Sequence, residues 1–453
     1  MAHVVETETP AAAQKARYLA DYRRVSAEAH LPAWLRQARQ RAIAHFDGLG
    51  FPTTRLEEWK FTSVAPIAER AFALADDGAS AFSRDRVAHW SLGGPTAAMI
   101  VCVNGRYAPQ LSSTGALPEG VRVSGLESAL AANPDLLEPH LARLAPTEQH
   151  AFTALNTAFL RDGAFISLPA HAIVETPVHV LFISTTPGGA ATVSHPRLLI
   201  VAGDDSQAQI VEQHVGWGSD GTSASFTNAV TEIVLGANAG IDYYRLQQEG
   251  THAFHIGTVY VGGGRSSRFS SHSLILGGAL VRNEVVAVLD GEGIDCTLDG
   301  FYLGSGRQLV DNHTTIDHAK PHCTSREVYK GILAGQAHAV FSGKIIVRPD
   351  AQKTDAKQTN KALLLSEDAQ INTKPQLEIF ANDVKCTHGA AIGQLDDDAL
   401  FYLRTRGLDF DEARNLLIHA FAGDIVNRLK IPSLRERLEA AIAEQVSGNV
   451  ARS

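Results

Sequence analysis

Short runs of β-branched and aliphatic residues, separated by small polar turns, dominate the chain from Gly163 to about residue 392. Clear examples are the segments 178–184, 197–201, 230–235, 253–261, 284–289, 344–347 and 377–380. Few helical windows intervene, so the pattern argues against a doubly wound α/β sheet. It favours a sandwich, a barrel or a β-solenoid.

Two features favour the solenoid among these architectures. Turn clusters stand beside the apolar runs at 291–293, 304–306, 334–337 and 366–369, as tight corners between stacked turns require. Polar residues that can bond between stacked strands lie in strand-like windows: Asn312, Thr314, Thr315, Gln358, Thr359, Asn360, Asn372 and Thr373. No strict repeat period is present, but the region is too long for one small barrel, so we predict a solenoid.

The segment that precedes this region is mainly helical in pattern. Apolar residues recur at helical spacing over about 11–74 and again over about 127–161. Residues 97–103 are instead typical of a short buried strand, and Asn104 and Gly105 form a turn signal directly after it.

Beyond residue 393 the pattern is helical again. Acidic residues at 396–398 mark a helix start, Gly407 is a natural stop, Asp409 can cap the next helix, and Pro432 introduces a third. The predicted apolar faces are Leu400, Phe401 and Leu403; Phe410, Ala413, Leu416, Leu417, Ala420, Phe421 and Ile425; and Leu434, Leu438 and Ile442. Such helices either dock a partner or cap the solenoid, and the pattern alone leaves both interpretations open.

These patterns divide the chain into three predicted domains. Residues 1–162 form an N-terminal mainly helical domain, residues 163–392 the parallel β-helix core, and residues 393–453 a C-terminal helical domain.

Composition excludes several functional classes. The chain has 453 residues and a formal net charge of -9, which argues against a nucleic-acid-binding surface as its main function. The motifs GxxxxGK[ST], HExxH and GxSxG are absent, so the common nucleotidase, zinc protease and hydrolase sites are not encoded. No apolar run approaches the ~20 residues that span a bilayer, and the acidic N-terminus lacks the features of a secretory signal. We therefore expect a soluble cytoplasmic protein that binds neither membrane nor nucleic acid.

The clearest candidate chemistry is the pair Cys386 and His388, which lie two residues apart in a strand-like window. Side chains at i and i+2 leave an extended chain by the same face, so these two would point together. A thiolate and an imidazole suit iron, zinc or a cluster edge, but two ligands are too few for a closed site. We expect neighbouring Lys385 to lower the thiol pKa. The alternative is a partly buried thiol beside a hydrogen-bonded imidazole, without metal.

Other chemical groups are weaker candidates. The densest histidine group lies at 313–323, but Pro321 interrupts any strand that could align it, so we expect polar turns or subunit contacts there. The cysteines assigned to packing, none of them in a CxxC pair, are Cys102, Cys296 and Cys323. A solenoid enzyme, such as a polysaccharide lyase or an acyltransferase, would need convergent carboxylates. The candidates for that role are Asp290, Asp295 and Asp299.

Six long motifs are spread over nearly the whole chain. They are the segments 50–62 (GFPTTRLEEWKFT), 321–332 (PHCTSREVYKGI), 361–366 (KALLLS), 371–379 (INTKPQLEI), 383–389 (DVKCTHG) and 400–407 (LFYLRTRG). Together they resemble the SufB/SufD family of the Suf iron-sulfur cluster assembly system. The SufD branch is the better match, because SufB-like chains carry an HEATTS-type segment where this chain has 386–391, and a cysteine where it has Leu403.

The resemblance implies a right-handed parallel β-helix between two helical domains, in a non-catalytic scaffold subunit. It further implies a β-helix heterodimer with SufB, docking of the ATPase SufC on domain 393–453, and a possible homodimer when the chain is alone. His388 and Cys386 match family residues at the SufB interface, where iron or a nascent Fe-S cluster is held transiently and shared with SufB. ATP hydrolysis would belong to SufC, so no nucleotide is expected on this chain. A metal-free homodimeric scaffold is the alternative.

Overall fold

The computed structural model describes residues 9–28, 31–218 and 223–450. The helices in these residues are α1 (Pro10–Glu28), α2 (Ala33–Leu49), α3 (Ala65–Ala68), α4 (Arg84–Ala88), α5 (Leu126–Ala132), α6 (Pro134–Leu137), α7 (Ala151–Ala158), α8 (Asp397–Thr405), α9 (Phe410–Val426) and α10 (Pro432–Val450). None of them is both long and apolar enough to cross a membrane.

Strands fill the middle of the chain. They are β1 (Ala73–Leu74), β2 (Ala98–Val103), β3 (Arg106–Tyr107), β4 (Ser113–Thr114), β5 (Arg122–Gly125), β6 (Ala164–Leu168), β7 (Ile173–Thr186), β8 (Thr192–Ser194), β9 (Arg197–Ala202), β10 (Gln207–Gly218), β11 (Ser225–Leu235), β12 (Gly240–Gln248), β13 (Phe254–Gly263), β14 (Arg268–Ile275), β15 (Leu280–Leu289), β16 (Asp295–Gly304), β17 (Leu309–His318), β18 (Thr324–Leu333), β19 (His338–Val347), β20 (Asp355–Leu364), β21 (Gln370–Ile379) and β22 (Lys385–Gly393).

The long strands alternate between two parallel sheets, which is the arrangement of a β-solenoid. Sheet 1 runs β6, β9, β11, β13, β15, β17, β19, β21, and sheet 2 runs β7, β10, β12, β14, β16, β18, β20, β22. Each turn contributes one strand to each sheet, giving about eight turns. The predicted β-solenoid with helical N- and C-terminal regions is confirmed.

One corner of the solenoid repeats the same backbone conformation from turn to turn. Its residues have positive φ angles: His171 (63°), Asp205 (58°), Asn238 (56°), Ser266 (57°), Gly293 (75°), His322 (60°) and Lys353 (62°). Each donates its backbone N–H to a carbonyl of the following turn, as in the 2.7 Å bond from Lys353 to Asp383. The corner therefore stacks through hydrogen bonds, although only one of its positions holds the glycine that this conformation favours.

The N-terminal region covers the start of the solenoid. Strand β2 pairs in parallel with β7 of sheet 2, and β5 pairs antiparallel with β6 of sheet 1, so both sheets continue beyond the first turn. The strand and turn predicted at 97–105 are confirmed by β2 and by the positive φ angles of Asn104 and Gly105. The helical prediction for 11–74 was wrong beyond α2, because Gly50 (φ 65°) ends that helix and mostly turns follow.

The C-terminal helices begin where the sequence predicts. The Asp396 carboxylate accepts the N–H groups of Asp398 and Ala399, and Asp409 forms a capping box with Glu412. The predicted face of α9 was partly wrong, since Leu416 stays exposed. Its buried side chains are Ala413, Ile418, Ala422, Ile425 and Val426.

Helices α9 and α10 pack on the outer face of sheet 2. Ile425, Leu434 and Leu438 share one apolar cluster with Leu274 and Phe301 of the sheet. Ion pairs to three different strands frame this cluster: Lys330 with Asp424, Asp299 with Arg428 at 2.7 Å, and Asp242 with Lys430 at 2.8 Å. The helices are thus fixed to several turns of the solenoid at once.

Candidate functional site

The candidate ligands Cys386 and His388 lie on β22, the last strand of sheet 2. Register pairs Cys386 with Ala356 and His388 with Gln358 on β20. Ala356 and Gln358 are 0% and 1% exposed, which places this face of the strand toward the solenoid interior. Because no further turn covers β22 in the described chain, Cys386 is only half-buried and His388 is exposed.

The backbone of β22 has one free edge at the same place. The Lys385 N–H donates at 2.8 Å to the carbonyl of Thr354, the residue directly before β20. In a parallel ladder the backbone groups of successive residues point alternately to opposite sides, so those of Cys386 and His388 face away from β20. Within the described residues no strand pairs with that side of β22. Two candidate ligands and a row of unpaired backbone groups therefore share one edge.

Burial, rather than a neighbouring cation, decides the pKa of the Cys386 thiol. Its side chain packs with Val384 and Leu377 against a small apolar cluster in the last turns. This burial raises the pKa of the Cys386 thiol, and the Asp355 carboxylate raises it further. The expected lowering by Lys385 is wrong, because Lys385 has the opposite parity on the strand and is exposed. A metal ion that binds here must therefore displace the thiol proton.

The donor set fits part of a metal site and not a complete one. Iron and zinc take four ligands in closed sulfur and nitrogen sites, and β22 offers one sulfur and one imidazole. No group of three or more His, Cys, Asp or Glu side chains is arranged to hold a metal in the described part of the chain. A complete site built on Cys386 and His388 would need ligands from beyond the described residues.

The histidine group at 313–323 is dispersed by the fold. His313 bonds Asp311 at 2.9 Å, whereas His318 bonds Ser325 at 3.0 Å. His322 occupies the repeating corner with φ 60°. These side chains serve three different local contacts and form no common centre.

The other cysteines and the acidic candidates are equally separated. Cys102, Cys296 and Cys323 are all buried. Asp290 lies 3.6 Å from Lys320, Asp295 accepts from Thr324, and Asp299 is covered by Arg428 of the C-terminal region. The three carboxylates therefore do not converge on one surface as a lyase site would require.

Sequence reasoning missed Glu327, a buried carboxyl group two strands away from His388. Gln358 Nε2 donates to Glu327 Oε2 at 2.8 Å inside the solenoid. Burial raises the pKa of Glu327 to about 7, although hydrogen bonds from Thr314 and Gln358 oppose that rise. Only the strand pairing of the structure reveals this residue, because Glu327, Gln358 and His388 occupy equivalent positions on successive strands of sheet 2.

Comparison with known proteins assigns the fold to a family. Residues 182–421 match the family described as SUF system FeS cluster assembly, SufBD core domain, and residues 12–180 match the SufBD protein N-terminal region. The chain belongs to the SufBD family. The resemblance noted in its motifs is thereby confirmed.

Individual relatives cover nearly the full length of this SufBD chain. It is 34% identical to an iron-sulfur cluster assembly SufBD family protein of Synechocystis over 410 residues, which are 89% of this chain and 90% of the relative. It is 29% identical to the iron-sulfur cluster assembly protein SufD of Escherichia coli, over 88% of this chain and 90% of that protein. The SufD protein of Bacillus subtilis is 26% identical over 92% of this chain and 94% of the relative.

Three of the six motifs meet at the far end of the solenoid. The segment 383–389 contains the candidate ligands, and 371–379 forms the last strand of sheet 1. The N-terminal motif 50–62 reaches the same end, since Glu57 forms an ion pair with Lys374 on β21. A motif that is distant in sequence therefore contacts the last turn.

Proposed function

We propose that this SufBD family member is a non-catalytic scaffold subunit of the Suf iron-sulfur cluster assembly complex. In this proposal it pairs with SufB through the last turn of its solenoid and docks the ATPase SufC on its C-terminal helices. The observation that carries the proposal is the coincidence of an incomplete ligand pair, Cys386 and His388, with the free edge of β22.

Pairing with SufB would cover the free strand edge of the last turn and complete its ligand set. A free strand edge is a template for another strand, and soluble proteins usually protect such edges. A related solenoid laid against β21 and β22 would satisfy their unpaired backbone groups and bring its own ligands to His388 and Cys386. A second copy of this chain could occupy the same edge in the absence of SufB, which is the possible homodimer.

Docking of SufC is supported by a separate surface. The large apolar side chains exposed on α8 and α9 are Phe401 (68%), Tyr402 (55%), Phe410 (50%) and Leu416 (49%). Several large apolar side chains exposed on two neighbouring helices are typical of a binding site. The chain has no nucleotide-binding loop of its own, so the energy of ATP would enter through SufC. Because α9 is tied to sheet 2 through Lys330 and Asp424, movement of the helices would reach the solenoid.

The iron or nascent cluster is the cargo of this site. His388 would supply a neutral ring nitrogen, and Cys386 would supply a thiolate once metal binding has displaced its proton. SufB would provide the remaining ligands. The exposure of His388 supports this role, because a partner can reach the ring only from outside the solenoid. The expected cytoplasmic location fits this assignment and stays a prediction.

The decisive experiment removes the imidazole from the assembled complex. We expect His388→Ala, co-expressed with SufB and SufC, to assemble normally and to lose most of the cluster chromophore, iron and acid-labile sulfide. Cys296→Ala is the matched control, since Cys296 is buried in the solenoid interior and should leave the cluster unchanged. Undiminished cluster in His388→Ala would remove the ligand role.

Size measurements distinguish the alternatives. A metal-free homodimeric scaffold would keep its dimer in gel filtration when SufB and SufC are added and would carry no iron. A solenoid enzyme would be indicated by activity on a polysaccharide or an acyl donor that survives His388→Ala.

A further inference from the structure

Three inward-facing side chains of sheet 2 form a column that ends at His388. Register pairs Glu327 of β18 with Gln358 of β20, and Gln358 with His388 of β22. Glu327 and Gln358 are each 1% exposed, whereas His388 is exposed at the uncovered last turn. The column therefore leads from a buried carboxyl group to the candidate ligand.

A hydrogen bond and close packing orient the Gln358 amide. Its Nε2 donates to Glu327 Oε2 at 2.8 Å, so the amide nitrogen faces Glu327. Gly343 leaves the space for this group, because a Cβ there would lie 2.1 Å from Gln358 Nε2. The amide is thus held from two sides.

This orientation leaves the carbonyl end of the amide unsatisfied. Gln358 Oε1 is buried and has no hydrogen-bond partner in the described chain. A buried carbonyl without a donor costs about 1–3 kcal/mol. The side chain that register places beside Gln358 on the outer strand is His388, whose neutral ring carries one N–H donor.

We propose that Gln358 is a positioning residue for His388: its carbonyl accepts the imidazole N–H, and Glu327 holds the amide in that orientation. The bond selects one ring tautomer and leaves the other nitrogen, with its lone pair, pointing out of the solenoid. Such partners behind a ligating histidine are the usual means of orienting it. This inference rests on the proposed ligand role of His388.

The test reads the ring directly and does not require bound metal. We use the full-length chain with ¹⁵N-labelled histidine rings, and His388→Ala assigns the signal. The wild type should show one dominant tautomer of His388. In Gln358→Leu the tautomer ratio should fall by roughly fivefold, the value of one neutral hydrogen bond. Gln370→Leu, at an exposed position of β21, is the matched control and should change nothing.

A conservative variant separates positioning from packing. Gln358→Glu keeps an acceptor for His388 and can share a proton with Glu327, so it should retain the dominant tautomer. Gly343→Ala displaces the amide and should reproduce the mixture, which keeps the test intact if Gln358→Leu does not fold. An unchanged ratio in both Gln358→Leu and Gly343→Ala would overturn the inference.

The two proposals fail differently. If the assembled complex holds iron through His388 while the ratio is insensitive to Gln358, the positioning role is wrong and the ligand role stands. If the ratio responds to Gln358 but His388→Ala retains full cluster, the positioning role stands and the ligand role is wrong.

Discussion

The two ends of the solenoid are built from the same kind of parallel strand, but one end is covered by further chain and the other, in the described part of the chain, is not. At the start, β2 and β5 extend the sheets beyond the first turn, and side chains such as Ile100 are completely buried. At the far end β21 and β22 each pair on one side only among the described residues, and Ile392 is 47% exposed. A stacked fold needs a cap at both ends, which is why we propose the far end as the surface that a partner covers.

The largest expected effect comes from comparing one substitution at the covered start of the solenoid with one at its uncovered end. Ile100→Ala leaves a cavity in a fully buried position and should lower the free energy of unfolding by about 2–5 kcal/mol. Ile392→Ala removes a half-exposed side chain and should lower it by less than about 1 kcal/mol. Denaturant unfolding of both variants of the isolated chain provides the comparison. Equal losses would mean that the far end is already covered in the isolated chain.

The next effect concerns the backbone of the open edge. The Ala390 N–H faces away from β20, so Ala390→Pro should leave the internal ladder intact and remove a donor needed by an incoming strand. Loss of a ladder bond and the clash of the proline ring cost about 3 kcal/mol, or roughly a 100-fold weaker affinity for SufB. Calorimetric titration with SufB measures it.

The control for this variant is Glu367→Pro, which places the same residue at an exposed corner of the neighbouring turn. It should bind SufB normally. Full affinity in Ala390→Pro would show that SufB does not pair with the edge of β22.

Much of this contrast could be predicted from sequence. Alternation placed Cys386 and His388 on one face, and the turn clusters indicated stacked corners before any register was known. The pattern of the sequence could not show which strands are neighbours. Glu327 became visible as a partner of Gln358 only once β18 and β20 were paired.

Two further errors concern which side chains are buried. Lys385 was expected to act on Cys386 because the two are adjacent in sequence, yet strand parity separates their side chains and burial decides the thiol pKa. The face of α9 was misjudged because that helix is apolar on more than one side. Only packing on sheet 2 determined that Ile418 is buried and Leu416 exposed.

A smaller effect contrasts the polar interior near the far end with the aliphatic start. The pKa of Glu327 is raised from 4.5 to about 7, so between these values the native chain binds a proton that the unfolded chain has lost. Stability attributable to this group is therefore lost as pH rises through that window. Between pH 5 and pH 8, the free energy of unfolding of the wild type should fall by on the order of 1–3 kcal/mol relative to that of Glu327→Gln.

Urea unfolding across that pH range measures the difference between the two proteins, in which the contributions of shared groups cancel. Glu367→Gln is the control, since it makes the same chemical change at an exposed residue. Parallel curves for Glu327→Gln and wild type would mean that the carboxyl group is ionised in the folded chain.

The smallest effect sharpens the comparison by asking whether the chain has two separate open surfaces. Phe401 on α8 is 68% exposed and Phe380 beyond β21 is 61% exposed, so truncating either to Ala should change the stability of the isolated chain by no more than about 0.5 kcal/mol. Binding should separate them. Phe401→Ala should weaken SufC binding about tenfold and spare SufB, whereas Phe380→Ala, at the open end, should do the reverse. If both variants weakened binding of the same partner, the helices and the last turn would form one interface. Docking of SufC could then not act on the open edge of β22 from a distance.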